Sequence, residues 1–563
     1  MTAAAASEPE PYYVANFRAL LEEVERRYAD LLAPAEESFL ADFRRLGSDA
    51  RRLYVRLASR RGPWFRLDRL RYRDVDLEAA EPELVAAGFA GRAGAELVAE
   101  RLARLRRDEL HAWSAEVAPA LAAALRRLGK GEAVALLGAA TAGRGAELAA
   151  RYPLLGLWRL EVLRVLRLLF FGNLNQDWTE FLLRDLGVLR FEAYALDAGA
   201  RYFADRAALE WNLRLHDRRE AVEALLAAGD LAAAGELAGE VAAAAGQPGL
   251  ASRLRRRADA IVLAVGRALE RRGDLADLER ALALYAAADS PPARERRARL
   301  LVRRGRLAAA WALCREIAAA PRDEGERLFA ARFAPRPAGG GAAVVVRSPR
   351  RRPALRQRLL RAGPGGDSTR TTSAETDALR ALAAEGWRGF FAENWLWRSL
   401  FGLAFWEAVF APVPGAFAHP FQHGPLDLED GFREARAERV AELLARLAAE
   451  ARPGPRLLAL WERKFGTANR LVAFAPELRA HLGLAAEVLG GAQLAAVCER
   501  LSRDLRRYGR GFPDLFLVRD GEPLLAEVKA PGDRLRPEQE GWLRYLPEHG
   551  LPTVVVQLRR ASS

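Results

Sequence analysis

The segment Gly511-Phe512-Pro513-Asp514-Leu515-Phe516-Leu517-Val518, a short turn, and then Leu524-Leu525-Ala526-Glu527-Val528-Lys529 hold the residues best suited to chemistry. Alternation along a strand puts Glu527 and Lys529 on one face and turns Val528 away. Asp514, at the start of the preceding strand, reaches the same face if the two strands pair. Asp520-Gly521 between the apolar runs is a hairpin signal that favours such pairing. Two carboxylates offer hard oxygen ligands to Mg²⁺ or Mn²⁺, and a compact ammonium beside them can orient or activate water next to a phosphate. The chain has three lysines (Lys130, Lys464 and Lys529) against 84 arginines, so a lysine at this position breaks the local habit. A guanidinium is bulkier and essentially never deprotonates. The pattern suits metal-dependent hydrolysis of phosphodiesters; the competing reading is an exposed Glu–Lys pair on a surface strand. Gln539, Trp542 and Leu543 follow on a helix start that can return to the strand edge. Arg503, Arg506, Arg507 and Arg510 precede the motif, where they can anchor phosphates.

At 563 residues the chain exceeds what one core usually supports, so several domains are expected. An apolar content of 51% argues for globular packing. The formal net charge of +13 points to an acidic partner, nucleic acid before an anionic membrane surface, unless the arginines merely reflect a GC-rich genome. Cys314 and Cys498 lie far apart, which suits a reducing compartment and excludes a disulfide framework or a Cys-based zinc finger. His419 and His423 flank Pro420 with no second His or Cys pair nearby, and are expected to be loop histidines. No secretory signal is visible at Met1–Glu8. The most apolar stretch, Leu400 to Ala418, is interrupted by Glu407, Pro412 and Pro414, so no membrane span is expected. A cytoplasmic, nucleoid-associated protein is the expectation.

The elements that must position these residues form a multidomain chain, mostly α-helical, with an α/β domain at its end. Residues 1–97 form an N-terminal helical domain opening with the stripe Phe17, Leu20, Leu21 and Val24, and with a short extended pair at Trp64–Leu67 and Leu70–Tyr72. In residues 98–160, two helices (Val98 to Arg106 and Val117 to Leu128), with turns at Asp108–Leu110 and Gly129–Gly131, have the spacing of a SAP-like DNA-binding module or of any helical hairpin. Residues 161–205 are a helical connector. In 206–335 a Gly-centred pattern recurs at Gly229-Asp230-Leu231, Gly273-Asp274-Leu275 and Gly305-Arg306-Leu307, as in degenerate TPR-like helical repeats. Residues 336–372, rich in Gly, Pro and Arg, are a basic linker. The last domain, 373–563, opens with a long aromatic-rich helical region from Ala374 to Phe410. Further helices follow to Arg507, then strands at 513–518 and 524–528, a helix from Pro537 to Tyr545 and a strand at Thr553 to Leu558.

Taken together, Gly511-Phe512-Pro513-Asp514, Glu527-Val528-Lys529-Ala530-Pro531, Asp533-Arg534-Leu535 and Gln539-X-X-Trp542-Leu543 resemble the VRR-NUC signature of the PD-(D/E)XK nuclease superfamily. A longer resemblance is to the Fanconi-associated nuclease family and its bacterial members. It runs through Phe170-Phe171, Phe181-Leu182-Leu183-X-Asp185-Leu186-Gly187, Glu385-Gly386-Trp387, Glu393, Phe421 and Pro425-Leu426-Asp427-Leu428. The resemblance implies an order of helical domain, SAP domain, helical repeats and nuclease. It implies that Glu393, Asp514 and Glu527, with the Val528 carbonyl, bind a pair of Mg²⁺ or Mn²⁺ ions. Lys529 is then the catalytic lysine, Gln539 sits beside the site, and Arg506 and Arg534 occupy matching basic positions. The implied activity is a 5′-flap endonuclease with 5′-to-3′ exonuclease action on branched or flapped double-stranded DNA, in interstrand-crosslink repair. Two features depart from the eukaryotic pattern. Glu538 replaces a basic residue just before the glutamine, which weakens the case for a terminal 5′-phosphate pocket, and the N-terminal zinc finger is absent. The rival functions are a Holliday-junction resolvase or restriction-type nuclease, and a non-catalytic helical-repeat scaffold.

Overall fold

The computed structural model describes residues 10–176, 178–183, 190–247, 250, 252–333, 355–362, 373–393 and 395–560. The chain divides into two compact units, Met1–Val188 and Leu189–Ser563.

In the first unit the helix Tyr12–Tyr28 buries the expected stripe, and Phe17 packs on Phe43 with ring centroids 4.9 Å apart. A small antiparallel sheet has β3 (Leu154–Leu157) between β1 (Trp64–Arg66) and β2 (Ala90–Arg92). The expected extended stretch at Leu70–Tyr72 is irregular and follows a 3₁₀ turn at Leu67–Arg69. Helices span Val98–Arg104, Arg107–Val117, Pro119–Leu125, Lys130–Ala140 and Gly145–Arg151, around Leu102, Trp113 and Leu137. This corrects the reading of two helices with turns at Asp108–Leu110 and Gly129–Gly131. The polar clusters read as turns are helix starts. Glu109 accepts the Arg106 backbone N–H at 2.7 Å and Glu132 accepts that of Gly129 at 3.0 Å, where acidic side chains also complement the helix dipole.

In the second unit, helices Arg206–Ala228, Ser252–Arg272 and Ala293–Arg303 each end at one of the three recurring glycines. Gly229, Gly273 and Gly305 have φ of 77°, 81° and 70°, the left-handed conformation that closes a helix. Asp230 and Asp274 then cap the following helices, accepting from Ala233 N at 3.0 Å and Asp277 N at 2.9 Å. The partner helices are Leu231–Ala245, Leu275–Ala287 and Leu307–Ala319, and Glu324–Arg332 follows them.

The remainder of this unit is built on a mixed five-stranded sheet in the order β4-β8-β7-β6-β5. Its strands are β4 (Gln357–Ala362), β5 (Arg388–Phe391), β6 (Leu515–Arg519), β7 (Glu522–Lys529) and β8 (Thr553–Arg560). β5, β6 and β7 are antiparallel neighbours, while β8 runs parallel to both β7 and β4. The β6–β7 hairpin turns at Asp520-Gly521, with φ of 55° and 78°.

Two strands differ from the sequence reading. β4 lies inside the stretch expected to be linker, and Leu360 is buried there. Its arginines hid the short apolar step, and its partner β8 lies almost 200 residues away, so no local pattern announces it. Arg347, Arg350, Arg351 and Arg352, the core of the expected basic segment, lie outside the described residues. The long helical region expected from Ala374 to Phe410 is instead the helix Ala374–Ala384, strand β5 and helices Trp395–Ala404 and Trp406–Val409. Phe390 is drawn into the sheet by packing on Phe516 (5.5 Å), a contact that helical periodicity cannot anticipate. One sheet face, with Leu515, Leu517, Leu524, Ala526 and Val528, packs on Ala378 and Leu382 of the helix Ala374–Ala384. The other, with Phe516, Val518 and Leu525, meets the main helical core, including Trp397, Phe401, Trp542 and Leu546.

Candidate active site

The alternation that sends Leu524, Ala526 and Val528 to one face sends Leu525, Glu527 and Lys529 to the other. The β6–β7 register pairs Leu515 with Ala526; continued by one residue, it sets Asp514 across from Glu527. The β5–β6 pairing continues in the same way, with Ala392 N donating to Asp514 O at 2.8 Å, so Glu393 follows directly at the sheet edge. The three carboxylates thus come from neighbouring strand ends.

Glu527 is fully buried and Asp514, Lys529 and Gln539 nearly so. Gln539 Nε2 donates to Glu527 Oε1 at 2.5 Å, and Lys529 Nζ lies 2.7 Å from the same oxygen. Lys529 Nζ also donates to Gln539 Oε1 at 3.2 Å, and Arg536 N donates to that oxygen at 3.0 Å. Gln539 therefore caps its own helix, Pro537–Glu548, while bridging the carboxylate and the ammonium. Asp514 Oδ2 accepts the Val528 N–H at 2.7 Å. Val528, implicated through its carbonyl, thereby also fixes the aspartate.

Burial raises the Glu527 carboxyl to about 7, with the charge of Asp514 adding and Lys529 opposing. Burial raises Asp514 to about 6 against the Val528 hydrogen bond, and the charge of Glu393 pushes the same way. Glu393 thus faces both carboxylates electrostatically. Among the described residues, however, no three His, Cys, Asp or Glu side chains are gathered closely enough to hold a metal as they stand. The donor set nonetheless fits a divalent cation. Glu527 Oε2 is buried without a hydrogen-bond partner, and a buried carboxylate oxygen with no donor is costly unless a cation satisfies it.

The arginines divide. Arg503 pairs with Glu499 at 2.8 Å and the exposed Arg506 approaches Glu429 at 3.5 Å. Arg507 lies among the charges of Glu295 and Asp323. Arg510 and Arg534 are exposed and carry no ion pair among the described residues. Arg398 and Arg470 lie near the same acidic group. Arg470 pairs with Glu429 at 2.9 Å, and burial and the charge of Arg470 lower Arg398. Arg470 and Arg506 thus share one carboxylate, Glu429. Arg398 stands in the helix that starts just after Glu393. His419 and His423 lie in irregular backbone.

Residues 11–91 match the family model described as FAN1, HTH domain, and residues 448–559 match the VRR-NUC domain. Over 571 residues the chain is 34% identical to the Fanconi-associated nuclease 1 homolog of Pseudomonas aeruginosa, covering 98% of this chain and 96% of that protein. The chain belongs to the Fanconi-associated nuclease family. The Arabidopsis thaliana homolog is 26% identical over 98% of this chain and 67% of its own length. A crystal structure of paFAN1 bound to 2nt 5′ flap DNA with gap matches with a TM-score of 0.79 at 32% identity, over the whole of both chains. Membership in this nuclease family makes the chain a DNA nuclease that uses divalent metal. Asp514, Glu527, Lys529 and Gln539 all lie within the VRR-NUC match, and Glu393 lies outside it. No single helix among the described residues is long and apolar enough to cross a membrane.

Proposed function

We propose that this member of the family is a structure-specific nuclease that cuts 5′ flaps, trims suitable ends in the 5′-to-3′ direction and serves in interstrand-crosslink repair. The observation that carries the reading is the meeting of Asp514, Glu527, Lys529 and Gln539 on one buried sheet face. The relative solved twice on 5′ flap DNA, paFAN1, supports the choice of substrate.

Asp514, Glu527, Glu393 and the Val528 carbonyl would hold Mg²⁺ or Mn²⁺, in a pair. When bound, such ions lower the pKa of water and neutralise charge on the phosphate. The chain's own residues do the rest. Gln539 fixes the Glu527 carboxylate and the Lys529 ammonium in one arrangement, so neither must reorganise as the phosphate approaches. Lys529 presents a point charge with one of its three N–H donors left for a phosphate oxygen or the attacking water, the other two being held by Glu527 and Gln539. SAP-like and TPR-like readings of the helices at 98–151 and 206–319 would make them grips on the duplex arms, so that shape selects the substrate rather than base sequence.

The test uses an end-labelled 5′ flap in Mn²⁺, with a four-way junction alongside. Lys529→Ala and Asp514→Ala are each expected to slow flap cleavage by about 10²–10⁴-fold while retaining DNA binding. Parental rates in both variants would remove the assigned site, and faster cutting of the junction than of the flap would favour a resolvase.

A further inference from the structure

Asp514 and Gln539 are both held by one short segment that begins at Asp504. The Asp504 carboxylate caps the helix Leu505–Tyr508, accepting from Arg507 N at 2.9 Å. The Tyr508 carbonyl accepts from Trp542 Nε1 at 3.1 Å, and Trp542 lies one turn beyond Gln539 on the same helix. Phe512, two residues before Asp514, stacks on Trp542 at 4.1 Å and on Trp397 at 5.7 Å. Arg500 lies over Tyr508, Trp542 and Tyr545 at 4.6, 4.4 and 4.3 Å and donates to Gly541 O at 3.0 Å. The segment and the Gln539 helix are therefore packed as one body.

The other end of this assembly is anchored outside the sheet. The buried Tyr508 hydroxyl donates to the carboxylate of Glu324, which Arg327 also pairs. Burial and this bond raise the Tyr508 hydroxyl to about 12, so it remains a donor at any working pH. Glu324 is the first residue of Glu324–Arg332, whose Phe329 packs into the core of the paired helices.

We infer that Tyr508 is a positioning residue: through Glu324 it ties the last helix of the paired-helix array to the two site residues Asp514 and Gln539. The inference rests on the site assignment above. It joins the helices proposed to grip DNA to the carboxylate and amide that must be in place for cleavage, and it makes the rate of cleavage, rather than DNA affinity, depend on this contact.

The experiment uses full-length Tyr508→Phe, which keeps the ring stacked and removes only the hydroxyl. Single-turnover cleavage of a 5′ flap at saturating protein is expected to fall about tenfold, with flap Kd within about twofold of the parent. Glu324→Gln keeps an acceptor for the hydroxyl while losing the charge that pairs with Arg327, and is expected to cut nearly as the parent does. Glu324→Ala is expected to fall as Tyr508→Phe does, and the double variant no further. A parental rate in Tyr508→Phe overturns the inference, as does a rate loss matched by an equal loss of affinity. Multiplying losses in the double variant, or a Glu324→Gln as slow as Glu324→Ala, also overturn it. A parent that cuts no flap defeats the functional reading instead, so the two failures are separable.

Discussion

Glu527 combines full burial, a neighbouring aspartate across the strand pair and a carboxylate oxygen without a donor. Each raises the cost of its charge, and the Lys529 ammonium and Gln539 amide offset only part of it. The consequence is a pH dependence of stability with a definite sign. A carboxyl raised in the folded state from 4.5 to about 7 binds its proton more tightly there than in the unfolded chain. Its contribution is therefore complete below about pH 4.5 and is lost as the pH rises through about 7. Asp514, raised to about 6, acts in the same direction. Glu527→Gln should then stabilise the metal-free protein by about 1–2 kcal/mol at pH 8 and have little effect at pH 4. Chemical denaturation in EDTA at the two pH values measures this, and a destabilised variant at pH 8 would contradict the electrostatic account. Added Mn²⁺ should stabilise the parent more at pH 8 than at pH 5.5, because a cation must displace the protons. Gln539→Ala should slow cleavage by about 10–100-fold, since it frees both groups without removing either. Retained DNA affinity in that variant would distinguish lost alignment from lost binding.

Among the elements, the β6–β7 hairpin was legible because its signals are local: period-two alternation, Asp520-Gly521 at the turn, and an apolar run on each side. Asp514 and Glu527 could be placed together from that information alone. β4 and β5 were not legible, since both are short, carry arginine or aromatic residues, and owe their conformation to partners far along the chain. The helices at 107–117 and 130–140 were missed for a different reason: acidic capping residues and glycine resemble turn composition. Arg470 escaped notice because its meeting with Arg506 at Glu429 joins three separate segments. Between Tyr508 and Asp514 the backbone makes a demand of its own. Gly511 has φ of 78°, and a Cβ there would lie 2.8 Å from Glu538 Cβ and 3.1 Å from Gln539 N. Gly511→Ala should cost about 1–2 kcal/mol from the backbone conformation alone. It should also push the Asp504–Asp514 segment away from the start of the Gln539 helix, lowering cleavage with little effect on DNA affinity. An Ala variant with parental stability and rate would show that this segment does not fix the site.

Over the whole molecule, the charge distribution leads us to expect that gripping DNA and cutting it fall to different residues. Net charge is +13 and nearly every cation is an arginine, while the site's cation is one of three lysines and is engaged with Glu527 and Gln539. Many of the arginines are bound to acidic partners, as Arg66 is to Glu109 and Arg294 to Glu326, so formal charge overstates the number free for phosphates. Exposed positions without an ion pair among the described residues, such as Arg510 and Arg534, are expected to be the ones that release counterions on binding. Flap affinity should therefore fall linearly in a plot of log Kd against log salt. The slope should correspond to about 5–10 neutralised phosphates, well below the number of arginines. The ratio of flap to linear-duplex affinity should change far less, because discrimination by shape is not carried by the backbone charge common to both. Fluorescence anisotropy on the two substrates between 50 and 300 mM salt, with Ca²⁺ in place of Mn²⁺, measures both quantities. A ratio that collapses toward one as salt rises would place branch recognition in the same phosphate contacts as general affinity. A ratio that holds while both affinities fall would assign recognition to contacts other than the backbone charge common to both substrates.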